Sequence, residues 1–309
     1  MSHFLFKQRM FAGAVGLALL SSVTASQAAT ILSTGDILLG GVQQGPYQDG
    51  PATSGSVDII PFVNDANGNN GFIHTFGNVN GTFGSRSSGL GDYDVTGTFN
   101  YNDTITNTGS VNQNLSFSFT VIPGNLTVDD GGVIFGAGQQ VGSSINIDIM
   151  INGVSLFNSF TQLLLTGDGA TNTTSFSETG TSLGGTLSGN GYSYNSFSQT
   201  VSLGTLAPGA SLNFDYILET VAFGNVSGGC STGGGDIPLA VITEVPGGGL
   251  TGCGSSFVNS GDPLTVGGPT NTFQFNVTVP EPGSILLWGA GLAGLSYARR
   301  RQQKNSVDA

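Results

Sequence analysis

Charge is what this sequence lacks most: 7 Lys and Arg and 19 Asp and Glu in 309 residues make 8%, against about 25% in an ordinary soluble domain. Helix surfaces in water are normally covered by Glu, Lys and Arg, so the shortage disfavours a cytoplasmic helical protein. Basic residues are scarcer still. Lys7 and Arg9 stand at the start, Arg299, Arg300, Arg301 and Lys304 at the end, and Arg86 alone lies between them. Residues 30 to 279 therefore set one base against seventeen acids, a net charge of −16. Such a surface repels nucleic acid and anionic lipid, and DNA and RNA binding are excluded on that ground. Histidine is nearly absent: beyond the first 29 residues only His74 occurs. A Ser-His-Asp or Cys-His arrangement would have to use it, and nothing at recognisable spacing accompanies it, so it reads as a half-exposed strand residue. The two cysteines, Cys230 and Cys253, have no His beside them and offer too few ligands for a structural metal site.

What is abundant is Gly (51 residues) and apolar side chain (38%, with 20 Phe). Gly costs about 1 kcal/mol relative to Ala inside a helix, which favours strands and turns, and the apolar share is enough for a core, unlike that of disordered chains. Leu115, Phe117, Phe119 and Val121 alternate with Ser and Thr; Ile145, Ile147, Ile149 and Ile151 alternate with Asn146, Asp148 and Met150; Phe273, Phe275, Val277 and Val279 alternate with Gln, Asn and Thr. A period of two places each apolar set on one sheet face. Further strands are expected over 31–39, 57–63, 72–79, 93–101, 197–203, 212–223 and 237–245, with turns at Asn67-Gly68, Asn80-Gly81, Pro123-Gly124-Asn125 and Pro208-Gly209. Ten or more such strands predict an all-β antiparallel sandwich over residues 30–279, either one large sandwich or two smaller ones meeting near 180–191.

The two ends carry targeting signals. Residues 1–29 have a basic start through Arg9, an apolar run from Met10 to Leu20 and the small residues Ala25-Ser26-Gln27-Ala28-Ala29, the three parts of a secretory signal peptide cut after Ala28 or Ala29. An even pair of cysteines in an oxidising compartment most simply forms a disulfide, here Cys230 with Cys253. At the other end, Val279-Pro280-Glu281-Pro282-Gly283 is followed by fifteen uncharged residues, Ser284 to Ala298, and then by Arg299-Arg300-Arg301, with Lys304 closing the basic end. As a helix, the run would span about 22 Å, short of the ~30 Å hydrocarbon core. It inserts only by thinning the bilayer or snorkelling its arginines. The arginines stay on the cytoplasmic side and leave everything before Pro280 outside.

The order of Pro280-Glu281-Pro282, a short Gly- and Leu-rich apolar run and a terminal Arg cluster resembles the PEP-CTERM sorting signal. The resemblance implies an exported protein of a Gram-negative bacterium that makes exopolysaccharide, with a membrane enzyme, the exosortase, as the partner that processes residues 280–309 near the motif. The strand-turn-strand of Leu203 to Phe214 is similar to a hairpin of extracellular PEP-CTERM domains, and Asn107-Thr108-Gly109 is similar to adhesin-like sandwich repeats.

Chemistry-bearing candidates within residues 30–279 are few. A carboxylate pair for glycoside hydrolysis, about 5 to 10 Å apart, could be drawn from Asp129-Asp130, Asp92 with Asp94, Glu178 and Glu219; the plainer reading is surface and turn acids. Asp65, Asn67 and Asn69 alternate as in calcium loops, but Asn70 stands where the turn Gly belongs and Phe76 where a bidentate Glu should close the cage, so the stretch also reads as an Asn-Gly turn with no cofactor. Two functions follow. The first is a non-enzymatic protein of the cell surface or exopolysaccharide matrix, membrane-anchored until its tail is processed. The second is a carbohydrate-binding or carbohydrate-active module with Tyr192, Tyr194 and Phe197 as stacking platforms.

Overall fold

The computed structural model describes residues 24–25, 29–79, 81–226, 253–261 and 271–278. The expected strand over 237–245, the residue Cys230, and the tail motif with its apolar run and arginines lie outside these residues. In chain order the strands are β1 Thr24–Ala25, β2 Thr30–Leu39, β3 Val42–Gln43, β4 Tyr47–Ala52, β5 Ser56–Ile59, β6 Phe62–Asn64, β7 Asn70–Asn78, β8 Thr82–Leu90, β9 Asp92–Thr106 and β10 Gln113–Val121. They continue as β11 Gly124–Asp129, β12 Gln140–Ile151, β13 Val154–Gly167, β14 Asn172–Gly180, β15 Thr186–Ser188, β16 Gly191–Tyr194, β17 Phe197–Leu206, β18 Ser211–Asn225, β19 Ser255–Ser260 and β20 Asn271–Thr278.

These strands form two antiparallel sheets packed face to face. The first runs β14-β13-β12-β18-β9-β2-β3, with β4 also on β2 and β1 on β9. The second runs β15-β16-β11-β19-β8-β20-β10-β17, with β7 on β8, and β5 and β6 on β7. Alternation decides which side of each strand is buried. Along β9, Tyr93, Val95, Phe99, Tyr101 and Ile105 point inward, and along β18 so do Leu212, Phe214, Tyr216, Leu218 and Ala222. The main core is largely aromatic: Phe83 stacks on Phe99 at 5.3 Å between ring centroids, and Phe117 lies 4.5 Å from Phe214 and 5.4 Å from Phe273. A second cluster of Ile37, Leu39, Ile59, Ile73, Tyr93, Val95 and Ala222 fills the other end. Between the two lies a buried hydroxyl seam, in which Ser85 Oγ is 3.0 Å from Thr75 Oγ1 and 2.7 Å from Thr220 Oγ1. Small residues let the sheets approach closely there, since a Cβ on Gly97 would stand 2.7 Å from Thr75 Oγ1.

Several expectations need correction. The strands flanking Pro208-Gly209 do not pair with each other: β17 pairs with β10, and β18 with β9 and β12. The turn is therefore an arch between sheets. The 57–63 strand is broken at Ile60-Pro61 into β5 and β6, because Pro has no N–H for the ladder. The stretch 180–191 carries the chain from β14 in the first sheet to β15 and β16 in the second, so it is a crossover within one sandwich. Strands β8, β11, β13, β14 and β19 were not expected from the pattern.

The ladders fix the ends of the sandwich. Thr30 pairs with Asn102, and Thr278 pairs with Asn114. Residues 29–30 and the end of β20 thus lie at the same pole, beside the turns 107–112, 152–153 and 207–210. The opposite pole carries the turns around Gly40, Asp65, Asp92, Asp130 and Asp168.

Candidate functional site

His74 is the first residue to place, and it is buried at 4% exposure, not half-exposed as expected. Its Nε2 lies 2.9 Å from Asp58 Oδ1, brought there because β5 pairs with β7 in the register Asp58 to Phe76. Arg86 stands opposite His74 on β8. This base is also buried, its guanidinium 5.2 Å from the Phe72 ring centroid and 4.7 Å from that of Phe257. Cation–π contacts of this kind are worth about 2 kcal/mol when desolvated. A general base has to come within hydrogen-bond reach of a substrate proton; here the ring is enclosed, with its Nε2 turned onto Asp58. Sequence reasoning missed Asp58, because a partner sixteen residues away is set by strand register and has no local signature.

The candidate acids are dispersed over different turns and faces. Asp129 ends β11 and Asp130 follows it; they accept from the N–H groups of Gly131 and Gly132 at 3.0 and 2.9 Å, and Asn172 donates to Asp130 at 2.8 Å. Glu178 on β14 accepts from the Tyr192 hydroxyl at 2.8 Å and from Ser182 at 2.9 Å. Burial and this carboxylate push the Tyr192 hydroxyl up to about 12. Glu219 sits on the outer face of β18 between Thr98 and Asn146, its carboxyl raised by burial. Asp92 and Asp94 do come together, with Gln140 and Asn225, in a shallow groove of about 240 Å³. Partial burial and then the neighbouring Asp36 raise the Asp94 carboxyl.

The Asp65 loop is organised around its own backbone. Asp65 Oδ1 accepts from the N–H groups of Asn67 and Asn69 at 2.8 and 2.9 Å, and Oδ2 from Asn69 Nδ2 at 2.8 Å. Asn69 Oδ1 in turn accepts from the Asp92 N–H at 2.9 Å. Oxygens that a cation would need are thus turned onto the loop, in the local pattern that Asp and Asn favour at turns. Among the described residues no group of three or more His, Cys, Asp or Glu is placed to hold a metal.

The expected stacking platform is core. Tyr192 and Tyr194 are each 2% exposed, Tyr192 stacked on Phe176 at 4.6 Å, and Phe197 packs toward Phe119 and Phe157. Among the described residues Phe62, at 37%, is the one exposed aromatic. Polar side chains take the outer faces. Across β20, β10 and β17 a groove of about 260 Å³ is lined by Ser118, Thr120, Ser198, Thr200, Thr272 and Gln274. Ser118 bonds Thr200 and Thr120 bonds Ser198, both at 2.9 Å, and Asn276 donates to Ser118 at 2.8 Å.

The last strand leads to the remaining site. Strand β20 pairs with β8 at Asn271 and Thr272 and with β10 from Thr272 to Thr278, and Pro280 follows after the single residue Val279. Residues 278–302 match the family model described as PEP-CTERM protein-sorting motif. The chain carries a PEP-CTERM sorting motif. With it the chain is an exported protein addressed to the cell envelope or surface, and an exosortase is the kind of partner that processes it. The PEP-CTERM match spans Pro280, Glu281, Pro282 and Arg299 to Arg301, the residues expected to carry sorting. No curated protein and no solved structure matches the chain significantly. Among the described residues no helix is long and apolar enough to cross a membrane; the uncharged run 284–298 lies outside them. Cys253 is buried beside Leu90.

Proposed function

We propose that this chain is a non-enzymatic protein of the cell surface or exopolysaccharide matrix. Its leader, residues 1–29, is removed on export, a Cys230–Cys253 disulfide forms outside, and the tail holds the sandwich at the membrane until an exosortase acts. The observation that carries this reading is the sorting motif joined by one residue to a strand paired into a folded sandwich. The enclosure of His74 and the commitment of Asp65, Asp129, Asp130 and Glu178 to turn and side-chain hydrogen bonds support a non-catalytic role. Replacing Pro280, Glu281 and Pro282 with Ala, followed by fractionation and mass spectrometry, is the test. The expected result is loss of tail processing and retention in the membrane; unchanged size and unchanged release would overturn the sorting role.

A second reading is favoured by the outer groove of β20, β10 and β17. Its hydroxyl and amide lining, free of charge, suits an uncharged polysaccharide better than the buried tyrosines do. Retardation in gels containing a neutral polysaccharide, relieved by Thr200→Val with Ser118→Ala, is the expected outcome. Equal mobility with and without polysaccharide would refute it.

A further inference from the structure

Asp103 is a buried carboxylate that the proposed function leaves unexplained. It points inward from β9 at 5% exposure, and its Oδ1 has no hydrogen-bond partner. The Tyr101 hydroxyl reaches Oδ2 only at 3.4 Å, and the remaining contact is the Thr104 backbone N–H. A buried charge without a partner is expensive, and such groups are rare in native folds. Burial accordingly raises the Asp103 carboxyl above its ordinary range.

The register of the first strand supplies a candidate counter-ion. The β2 ladder ends with Ile31 on Tyr101 and Thr30 on Asn102, while Thr24 and Ala25 pair with Thr106 and Ile105, so Ala29 lies along β9 beside the Asp103–Thr104 stretch. Residues opposite each other in an antiparallel pair have Cα atoms about 4.5–5.5 Å apart. Ala29 is partly buried against the main core. A leader cut after Ala28 or Ala29 would leave the new α-ammonium group on residue 29 or 30, beside the Asn102–Asp103 step of β9, and would remove Thr24 and Ala25, which pair with Thr106 and Ile105 there. Before the cut, the same nitrogen is an uncharged amide.

We propose that Asp103 is the counter-ion of the α-ammonium group that signal-peptide removal creates, so that the cut itself completes a buried ion pair and locks β2 into its sheet. This rests on the export reading, and on its cleavage position in particular. Few other charges compete. On the strands packed around Asp103 the titratable groups are Asp92, Tyr93, Asp94 and Tyr101 on β9, Asp36 on β2, Tyr47 and Asp49 on β4, and Tyr216, Glu219 and Asp215 on β18, the last accepting from Asn102 on the outer face; none of these is a cation. The only lysines are Lys7 and Lys304, so the α-amino group is the only primary amine from residue 29 to residue 303.

That scarcity makes the test direct. The full chain carrying Lys304→Arg is exported from its own leader, and intact mass gives its first residue. A start at 29 or 30 is expected; any other start overturns both the cleavage assignment and the pair. Reductive methylation with ¹³C-formaldehyde then labels only the α-amino group, whose titration is followed by NMR. An ordinary α-amino group titrates near about 7.7–8.0. The pair should raise the midpoint by about one unit or more, and Asp103→Asn should return it, whereas Asp215→Asn should leave it in place. A correct start with the same midpoint in the parent and in Asp103→Asn overturns the pair and leaves the export reading standing. Should Asp103→Asn fail to fold, the parent in urea gives the reference, and equal folded and unfolded midpoints are the overturning result.

Discussion

Asn107 offers the most demanding check on how the tail-proximal pole is held. The residue is fully buried in the turn that leads from β9 toward β10. Its Nδ2 donates to the carbonyls of Val111 and Leu206, each at 2.8 Å, and its Oδ1 accepts from the Gly109 N–H at 2.9 Å. Its backbone exchanges bonds with the neighbouring arch, through Asn107 N–H to the Ala210 carbonyl at 3.0 Å and Gly209 N–H to the Asn107 carbonyl at 2.8 Å. Asn107→Ala removes the three side-chain bonds and leaves the backbone pair. Each bond contributes about 0.5–1.5 kcal/mol net, and a buried group left unpaired costs about 1–3 kcal/mol. Water reaching the Val111 side would recover part of this, so the loss should be about 2–4 kcal/mol. For a domain of this size that corresponds to a Tm lower by roughly 5–15 °C. Asn107→Asp keeps the acceptor for Gly109 but turns a carboxylate onto two carbonyl oxygens. It should be worse than Ala at pH 7 and recover as the pH falls toward the carboxyl range. Urea titrations of both variants, read by circular dichroism, measure the difference. A change below about 0.5 kcal/mol for Asn107→Ala, or an Asp variant as stable as the parent at pH 7, would refute the idea that this side chain couples the two loops.

Three further outcomes are expected. Gly97→Ala should destabilise by about 1–3 kcal/mol through overpacking, because the added Cβ meets Thr75 Oγ1 at 2.7 Å and Ser85 Oγ at 3.0 Å; a urea midpoint equal to that of the parent would mean that the sheets are further apart than described. Asp94 and Glu219 are both raised by burial, so their contribution is complete below the unfolded carboxyl range and is lost as pH rises through the folded values. Thermal stability should therefore increase as pH falls from neutrality toward the carboxyl range, and less so in Glu219→Gln; a flat or inverted profile counts against this. Exported protein should show no thiol labelling without reductant, and Cys253→Ser should lose roughly 3 kcal/mol, the chain-entropy value for closing the 24-residue loop from Cys230 to Cys253; two reactive thiols in the untreated protein would remove the disulfide.

How far the fold could be read from the sequence depended on what each strand faces. Strand β10 and the 145–151 part of β12 alternate cleanly because one side meets an apolar core and the other mostly polar side chains, whereas β18 keeps its inward Leu212, Phe214, Tyr216 and Leu218 but also carries Ile217, Val221 and Phe223 on the outer face. In β8 the inward Phe83 is followed at the next inward positions by Ser85 and Ser87, which serve the hydroxyl seam, and the outward Arg86 is buried as well; a polarity pattern cannot show a strand of this kind. In β13, Ser159 and Thr161 sit in the buried row while Phe160 and Leu164 lie on the other face, which inverts the signal. Tyr192 and Tyr194 had to share a face by their spacing, but spacing does not say which face, and they turned to the core. The arch at Pro208-Gly209 has the local chemistry of a hairpin turn. Only long-range pairing separates the two. The sorting motif was legible because its order of Pro-Glu-Pro, uncharged run and arginines depends on chain sequence alone.

The placement of charge gives the proposed anchoring a physical basis. At the pole where β20 ends, the turns 107–112, 152–153 and 207–210 contain no charged residue. Asp65, Asp92, Asp94, Asp129, Asp130 and Asp168 lie toward the opposite ends of the strands. Strand β9 alone has 15 residues, about 50 Å at the usual rise per residue. Screening at physiological salt acts over about 8 Å. A chain anchored through the run that starts at Ser284, with five residues between it and Thr278, would therefore bring these uncharged turns toward an anionic bilayer while those six acids stay several screening lengths away. The shorter link to the motif sets a limit on processing, since Val279 adds less than about 4 Å of extended chain. In the proposed function, an enzyme that acts at Pro280 to Pro282 has to approach this pole closely or draw the end of β20 away from Asn114. The turns around Asn107 and Pro208 then become part of the surface that such an enzyme meets.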